Sequence, residues 1–405
     1  MTAHADLIVI GGGLIGLSTA LAAADRGMRV TLLEAETCGR HASSANAGGV
    51  RSLNRHPAEI PLARAALAAW RDLPKRLGSS CGFHAGGQLR VAEDAAALAR
   101  LGARAEATRA LGWTHERMIS RAALRERVPA LAPHCLGALV VDDDGFADPL
   151  ATLRAYLAAC RVAGVRLLER TPTRAVVRAD AGGVAVETDT GTLRAPAVAN
   201  CAGAWGGALC AGEPVPMRTA ALQMIVTGPV APFVSAVVGS EGRKLSLKQT
   251  DAGAVVIGGA FEGRVAPGPR GIVLGEPLAA SLANVHTVFP HLADAAVVRA
   301  WAGLEGMVAD GLPVLGPSGR VPGLVHAFGF SAHGFALAPV VGPLVADLVA
   351  GRAPRLPIAP FSIARFDAKR LERDRLERDP AELDRFMPLP AEAAHEQGGL
   401  RHARS

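Results

Sequence analysis

Several residue types that mark common protein classes are scarce in this chain. Aromatic residues make up 4% of the 405 positions, and no basic run is interleaved with them, which argues against a nucleic-acid groove. Six cysteines are scattered at Cys38, Cys81, Cys135, Cys160, Cys201 and Cys210, with no Cys-x-x-Cys pair. That spacing excludes zinc or iron–sulfur ligation within the chain and reads as free thiols in a reducing compartment. Lysine is rare, so the +6 formal charge is carried almost wholly by arginine, spread along the chain. Arginine in that distribution suits phosphates and a small anionic substrate. No internal repeat or low-complexity tract is present. The first strand begins at residue 6, which leaves no room for a secretory leader, and a cytoplasmic protein is expected. Residues 7–24 are apolar enough to resemble a membrane span, but the glycines inside the run and Asp25-Arg26 directly after it favour a buried β–α unit.

Half of the residues are hydrophobic, enough for a sizeable core in two domains or one domain with insertions. The most informative stretch is the first. It reads Asp6-Leu-Ile-Val-Ile-Gly11-Gly12-Gly13-Leu14-Ile15-Gly16, then an alanine-rich run to Gly27, then Met28-Arg-Val-Thr-Leu-Leu-Glu34. This is strand, glycine turn, helix, second strand and terminal acid. Gly11 permits the tight turn, Gly13 lets the backbone approach a pyrophosphate, and Gly16 lets helix and strand pack closely. The helix N-terminus offers free amides to phosphate oxygens. Glu34 is placed to accept hydrogen bonds from a ribose 2′-OH, which disfavours NADP and leaves FAD and NAD open.

Beyond Glu34 a loop of small residues runs from Cys38 to Arg51. Helices are expected over 57–77, 94–111, 120–127, 150–163, 276–288 and 338–350, the fourth opened by Asp148 as N-cap and Pro149 in its first turn. Strands are expected over 83–92, 165–169 and 174–179, in a hairpin around Gly182-Gly183, and repeatedly through 215–260, where apolar and polar residues alternate. From about 365 the composition changes to alternating Arg and Glu/Asp, read as one solvated helix with a frayed end, or a helix that docks a partner.

Four later segments accompany the opening motif in a fixed order. They are Ser44-Ala-Asn46-Ala47-Gly48-Gly49-Val-Arg51; Asn200-Cys-Ala202-Gly203-Ala-Trp205; Trp301-Ala-Gly303 with Asp310-Gly-Leu-Pro313; and Gly329-Phe330-Ser331-Ala332-His333-Gly334-Phe335. In this order the chain resembles the FAD-dependent D-amino acid oxidase superfamily over about residues 5–362. The branch of glycine and sarcosine oxidases and the β-subunits of opine and D-hydroxyproline dehydrogenases looks most similar.

The resemblance implies an α/β (α+β) fold: a discontinuous Rossmann-like FAD-binding domain (1–80, 141–213, 299–364) with an inserted antiparallel β-sheet substrate domain (81–140, 214–298) and a charged tail (365–405). It implies non-covalent FAD as cofactor. Gly11, Gly13, Leu14, Ile15 and Gly16 would hold its pyrophosphate, and Glu34 with Ala35 its adenosine ribose. Ser43, Ser44, Asn46, Ala47, Gly48 and Gly49 would line the flavin, Val176 would edge the adenine, and Ala202, Gly203 and Trp205 would pass the pyrophosphate or ribityl chain. Gly329 to Gly334, with Gly303, would cradle the isoalloxazine. Arg51, Lys248, Arg299 and His333 are the candidate catalytic or substrate-binding side chains.

Departures from the family pattern carry expectations of their own. Ala336 stands where sarcosine oxidases bind the substrate carboxylate with a lysine, and Gly303 where they attach flavin through cysteine. Val256 stands where they carry an oxygen-activating lysine, so a cation is expected to be missing there, which favours a dehydrogenase over an oxidase. The implied reaction is oxidation of a small amino acid or secondary amine of the D-hydroxyproline, D-proline, opine or sarcosine type to an imine, by hydride transfer to flavin N5. A flavin-dependent 2-hydroxy acid or glycerol-phosphate oxidoreductase, and an FAD-holding subunit of a larger complex, are the alternatives. Electron-transfer subunits or a carrier are the implied partners, and any membrane association would run through an acceptor chain.

Overall fold

The computed structural model describes residues 5–179, 182–210 and 212–367. The helix expected in the charged tail lies outside them. Two sheets organise the rest. The first has six strands in the order Val314–Pro317, Leu324–Phe328, Ala197–Asn200, Leu7–Ile10, Val30–Leu33 and Arg166–Leu168. All its pairings are parallel except that of Val314–Pro317 with Leu324–Phe328. Its central strands are four-residue, mostly apolar runs buried throughout, as parallel strands covered on both faces must be, with Thr31 and Asn200 the polar exceptions. The Leu14–Ala24 helix covers it, packing against Gly334–Val349. The membrane-like run 7–24 is thus a buried strand, turn and helix, and no helix among the described residues is long and apolar enough to cross a membrane.

The second sheet has eight strands, in the order Val297–Val308, Met217–Pro229, Ala254–Glu262, Ser246–Gln249, Val237–Ser240, Gln88–Ala92, Gly137–Val141 and Arg117–Ser120. Only Val237–Ser240 with Gln88–Ala92 is parallel. Alternation divides its faces. Leu89, Val238, Leu247, Ile257 and Ile225 point into a core with Val285, Val288 and Phe289 of the helix Gly275–Val288 and its end. Ala220, Leu222 and Met224 point the other way and cluster with Ala47 and Trp301. A strand residue and its cross-strand partner share a face. The register therefore puts Trp301 beside Met224, Gly303 beside Leu222 and Glu305 beside Ala220, all on the second face.

Local expectations hold where the signal is local. Asp148 accepts hydrogen bonds from the amides of Leu150 and Ala151 and opens Pro149–Val162. Two boundaries differ. The strand expected at 83 begins at Gln88, because Gly86 and Gly87 turn the chain and only His84 bridges to Phe146 before them. The helix expected from 338 begins at Gly334, a turn before Pro339. Pro339 cannot donate to the preceding turn. Side chains of other helices donate to neighbouring carbonyls of this turn, the Trp70 indole to Ala336 O (2.8 Å) and the Ser18 hydroxyl to Ala338 O (2.8 Å). Trp70, from Ile60–Leu77, is fully buried against Phe83 and Phe335, and truncation to alanine would cost about 3–5 kcal/mol.

Candidate functional site

Two cavities meet at the glycine turn. One of about 380 Å³ runs along Gly11, Glu34, Thr171–Arg174, Ala202 and Trp205. The other, about 300 Å³, runs from Gly13 past Asn46–Gly49 to the second sheet. Gly13, Ser43, Gly203 and Leu304 line both.

The first cavity is shaped by backbone. A Cβ on Gly11 would collide with Cys201 O, and one on Gly16 with Gly11 O, so neither position admits another residue without a backbone shift. The Glu34 carboxylate ends Val30–Leu33 and is fixed by the amides of Gly12 (2.7 Å) and Glu36 (2.8 Å). Ser43 Oγ accepts the Leu14 amide at 2.8 Å, capping the helix end that faces both cavities. Ala35 also lines this wall, and Trp205 lies against the His41 ring at 4.7 Å. Val176 does not line it. Its side chain turns into the core with Val184 and Val186, and Thr171–Arg174 form the wall instead.

Small residues form the near wall of the second cavity. Asn46 closes its own loop, accepting the Gly48 amide at 2.7 Å and donating to Ala42 O and Ser43 O. Ser44 points back to His41 O. Gly329, Phe330, Ala332 and Gly334 line the far wall. Ser331 and Ala332 both take positive φ (47° and 67°), a strained pairing for non-glycine residues in which the Ser331 amide donates to Gly306 O and the His333 amide to Phe330 O. Ser331 Oγ is occupied by the Val308 amide at 3.1 Å. Gly303 is forced small, because a Cβ there would stand 2.7 Å from Ala45 Cβ, and Trp301 donates to Ala45 O beside it.

A buried basic cluster closes the cavity's end. Arg51 donates to Leu53 O (2.6 Å) and, through Nη2, to His333 Nε2 (3.1 Å). His333 Nδ1 meets Glu59 at 3.0 Å. Arginine only donates and a carboxylate only accepts, so the imidazole is the neutral Nδ1–H tautomer, with Nε2 as acceptor. Burial, with Arg55 and Arg51 alongside, pushes His333 down to about 4. For Glu59, burial opposes the charge, but His333, Arg55 and Arg51 outweigh it and hold the carboxyl at about 2. Arg51 is itself lowered to about 9 by burial and by the charges of Arg55 and Arg90. Asp144 holds the 51–54 loop, accepting from Ser52 N, Ser52 Oγ and Leu53 N, although burial lifts it to about 6. Arg55 is 2% exposed and donates from Nε to Arg51 O, while its Nη1 has no hydrogen-bond partner.

The remaining two basic candidates separate. Lys248 is paired in register with Val256 and shares its face. Its Nζ donates to Ala147 O (3.0 Å), lies over the Phe146 ring, and would stand 2.8 Å from a Cβ on Gly48; burial lowers it to about 8. Lys248 therefore places a cation one strand from Val256 on the same face, although neither residue is among those lining the two cavities. Arg299 is exposed, lies over Trp301 and is not among the residues lining either cavity.

Residues 6–348 match the family described as FAD dependent oxidoreductase. The chain belongs to that family. Glycine oxidase of Geobacillus kaustophilus is 32% identical over 90% of this chain and 98% of its own length, and its crystal structure matches with a TM-score of 0.81. Sarcosine oxidase subunit beta of Rhizobium meliloti is 26% identical over 89% of this chain and 88% of its own. The crystal structure of L-proline dehydrogenase from P. horikoshii matches with a TM-score of 0.82 and 25% identity, covering 91% and 99%.

FAD fits what the residues offer. An extended dinucleotide needs two joined clefts, a backbone that approaches the pyrophosphate, and a ribose acceptor. The cavities meeting at Gly13, the glycines that admit no Cβ, and the fixed Glu34 carboxylate supply these. Its flavin end would lie between the 46–49 and 329–334 loops, which face each other across the second cavity, and position 303 is glycine, not cysteine.

Sequence reasoning found Arg51 and His333, which the fold brings into contact across 282 positions. It missed Arg55, Glu59 and Glu305. For the first two the available signal was the Arg51-x-x-x-Arg55-x-x-x-Glu59 spacing. For Glu305 it was a lone acid within the otherwise uncharged run between Arg299 and Asp310.

Proposed function

We propose that this FAD-dependent oxidoreductase oxidises a small amino acid or secondary amine bearing a carboxylate. The observation that carries this reading is Arg55, a buried guanidinium in the cavity wall whose Nη1 lacks a partner. An unpaired buried donor costs roughly 1–3 kcal/mol, which a carboxylate ligand recovers. Bound FAD supplies the hydride acceptor. The protein's own groups bind and orient. Glu59 fixes the His333 tautomer, and His333 Nε2 fixes the Arg51 fork beside Arg55. Leu222 and Met224 present an apolar wall that keeps water from the reacting carbon. Relatives named for glycine, sarcosine and proline support the substrate class.

The test is anaerobic bleaching of the bound flavin near ~450 nm. The panel is glycine, sarcosine, D- and L-proline, D-hydroxyproline and opines. Bleaching by at least one member is expected. Bleaching by 2-hydroxy acids or glycerol phosphate, with none by amines, would overturn the reading.

A second arrangement is supported by the relative named as a subunit: the chain holds FAD within a larger complex and passes electrons to a partner. In that case purified chain bleaches with substrate but reoxidises faster with an artificial dye than with oxygen.

A further inference from the structure

One half-buried acid has no part in the scheme above. Glu305 projects from Val297–Val308 on the face that carries Trp301, Gly303, Leu222 and Met224. It lines the same cavity as Arg51 and Arg55, and its carboxylate takes the Ala332 amide as its hydrogen-bond donor. Among the described residues no cation forms an ion pair with it. On Met217–Pro229 its cross-strand partner is Ala220, flanked on the same face by Leu222 and by Arg218, which is paired with Glu262. The charged and titratable groups of the facing walls are Arg51, Arg55 and Arg90, the last paired with Glu241, with His333 against Arg51 and Lys248 beside Gly48.

A cavity holding a carboxylate without a counter-ion and a guanidinium with an idle donor is complementary to a zwitterion. We infer that Glu305 binds the substrate ammonium and accepts its proton. This rests on the amine reading proposed above and adds the role of one residue to it. In the step, an N–H bond of the ammonium breaks and the proton passes to the Glu305 carboxylate. The freed lone pair then forms the C=N bond as the Cα–H bond breaks, and the hydride's two electrons go to FAD, the oxidant. Water hydrolyses the iminium to a carbonyl compound and ammonia or amine. Burial lifts the Glu305 carboxyl to about 7, close to the value at which a group both accepts and releases a proton in neutral solution.

Two ligands that cannot be oxidised separate this role from others. 2-Aminoisobutyrate is a zwitterion with no hydrogen on Cα, and pivalate replaces its ammonium with methyl. Each is titrated into holoenzyme, following the flavin's visible spectrum. Glu305→Gln keeps an acceptor for the Ala332 amide, and retained FAD absorbance reports that the variant is folded. It is expected to weaken 2-aminoisobutyrate about tenfold, the effect of one charge-assisted hydrogen bond, and to leave pivalate unchanged. In anaerobic bleaching, the wild-type limb near pH 7 disappears in Glu305→Gln, and Glu305→Asp restores part of it. Equal loss for both ligands, or none for either, would overturn the assignment. If an amine bleaches the wild-type flavin while the variant binds 2-aminoisobutyrate normally, only the Glu305 role falls. If no amine bleaches it, the amine reading falls as well.

Discussion

Replacing Arg55 by methionine is the sharpest perturbation of the basic cluster. Methionine keeps most of the apolar stem and removes the guanidinium. Two effects oppose each other in the free protein. The Nε–H···O=C bond to Arg51 is lost, at about 1 kcal/mol, and Glu59 loses one of the cations that hold it ionised. Against this, a fully buried charge with an unpaired Nη1 is no longer desolvated, a gain of similar size. The net change is expected within about 1 kcal/mol, a melting shift of roughly 1 °C for a protein of this size. Ligand binding is different, because a charge-assisted bond to a carboxylate is worth roughly 1.5–3 kcal/mol. Affinity for isobutyrate, followed by the flavin's visible spectrum, should fall about 10- to 150-fold. His333, relieved of the Arg55 charge, should titrate at higher pH, which NMR of labelled imidazole reads directly. A large drop in melting temperature with unchanged isobutyrate affinity would refute the reasoning. Arg55 would then be a structural counter-ion to Glu59 and not a ligand for substrate.

Against burial, His333, Arg55 and Arg51 hold Glu59 well below the ordinary carboxyl range, at about 2. A depressed folded value stabilises above the ordinary range, and that contribution is lost as pH falls from about 5 towards 2. Urea unfolding between pH 6 and 3 should therefore be steeper in pH for wild type than for Glu59→Gln; equal slopes would contradict the network. Gly16→Ala forces a Cβ onto Gly11 O, and the purified variant should be colourless after gel filtration. Lys248 is cationic below about 8, so its contribution to bleaching fades as pH rises through that value. Lys248→Met should be flat there and match the wild-type rate at high pH, and a limb persisting in the variant would assign it elsewhere.

What the sequence made legible was local. The turn from Gly11 to Glu34 is written in contiguous residues, each constrained by its near neighbours. The 215–260 alternation was readable because one face of that sheet packs on Val285 and Phe289 and the other borders a cavity. Pairings across the chain were not. Glu59 and His333 are 274 positions apart, and nothing local to either announces the other. Whether Lys248 stands in for the residue at Val256 depends on strand register, which spacing does not fix. Val176 sits in a plausible strand, but its facing follows from the Val184–Thr188 partner, which turned it into the core.

The order of strands in the parallel sheet bears on how the enzyme is made. Leu7–Ile10 leaves the ribosome before its partners, yet one of its neighbours is Ala197–Asn200, which in turn needs Leu324–Phe328. The loop 329–334, a wall of the flavin cavity, follows that last strand. Contacts so distant in sequence form slowly, and the cofactor cleft stays open-ended until most of the chain is synthesised. FAD therefore loads late, as a ligand that locks a nearly finished fold. Flavin supply during expression accordingly sets the yield of native enzyme by mass action, not only its colour.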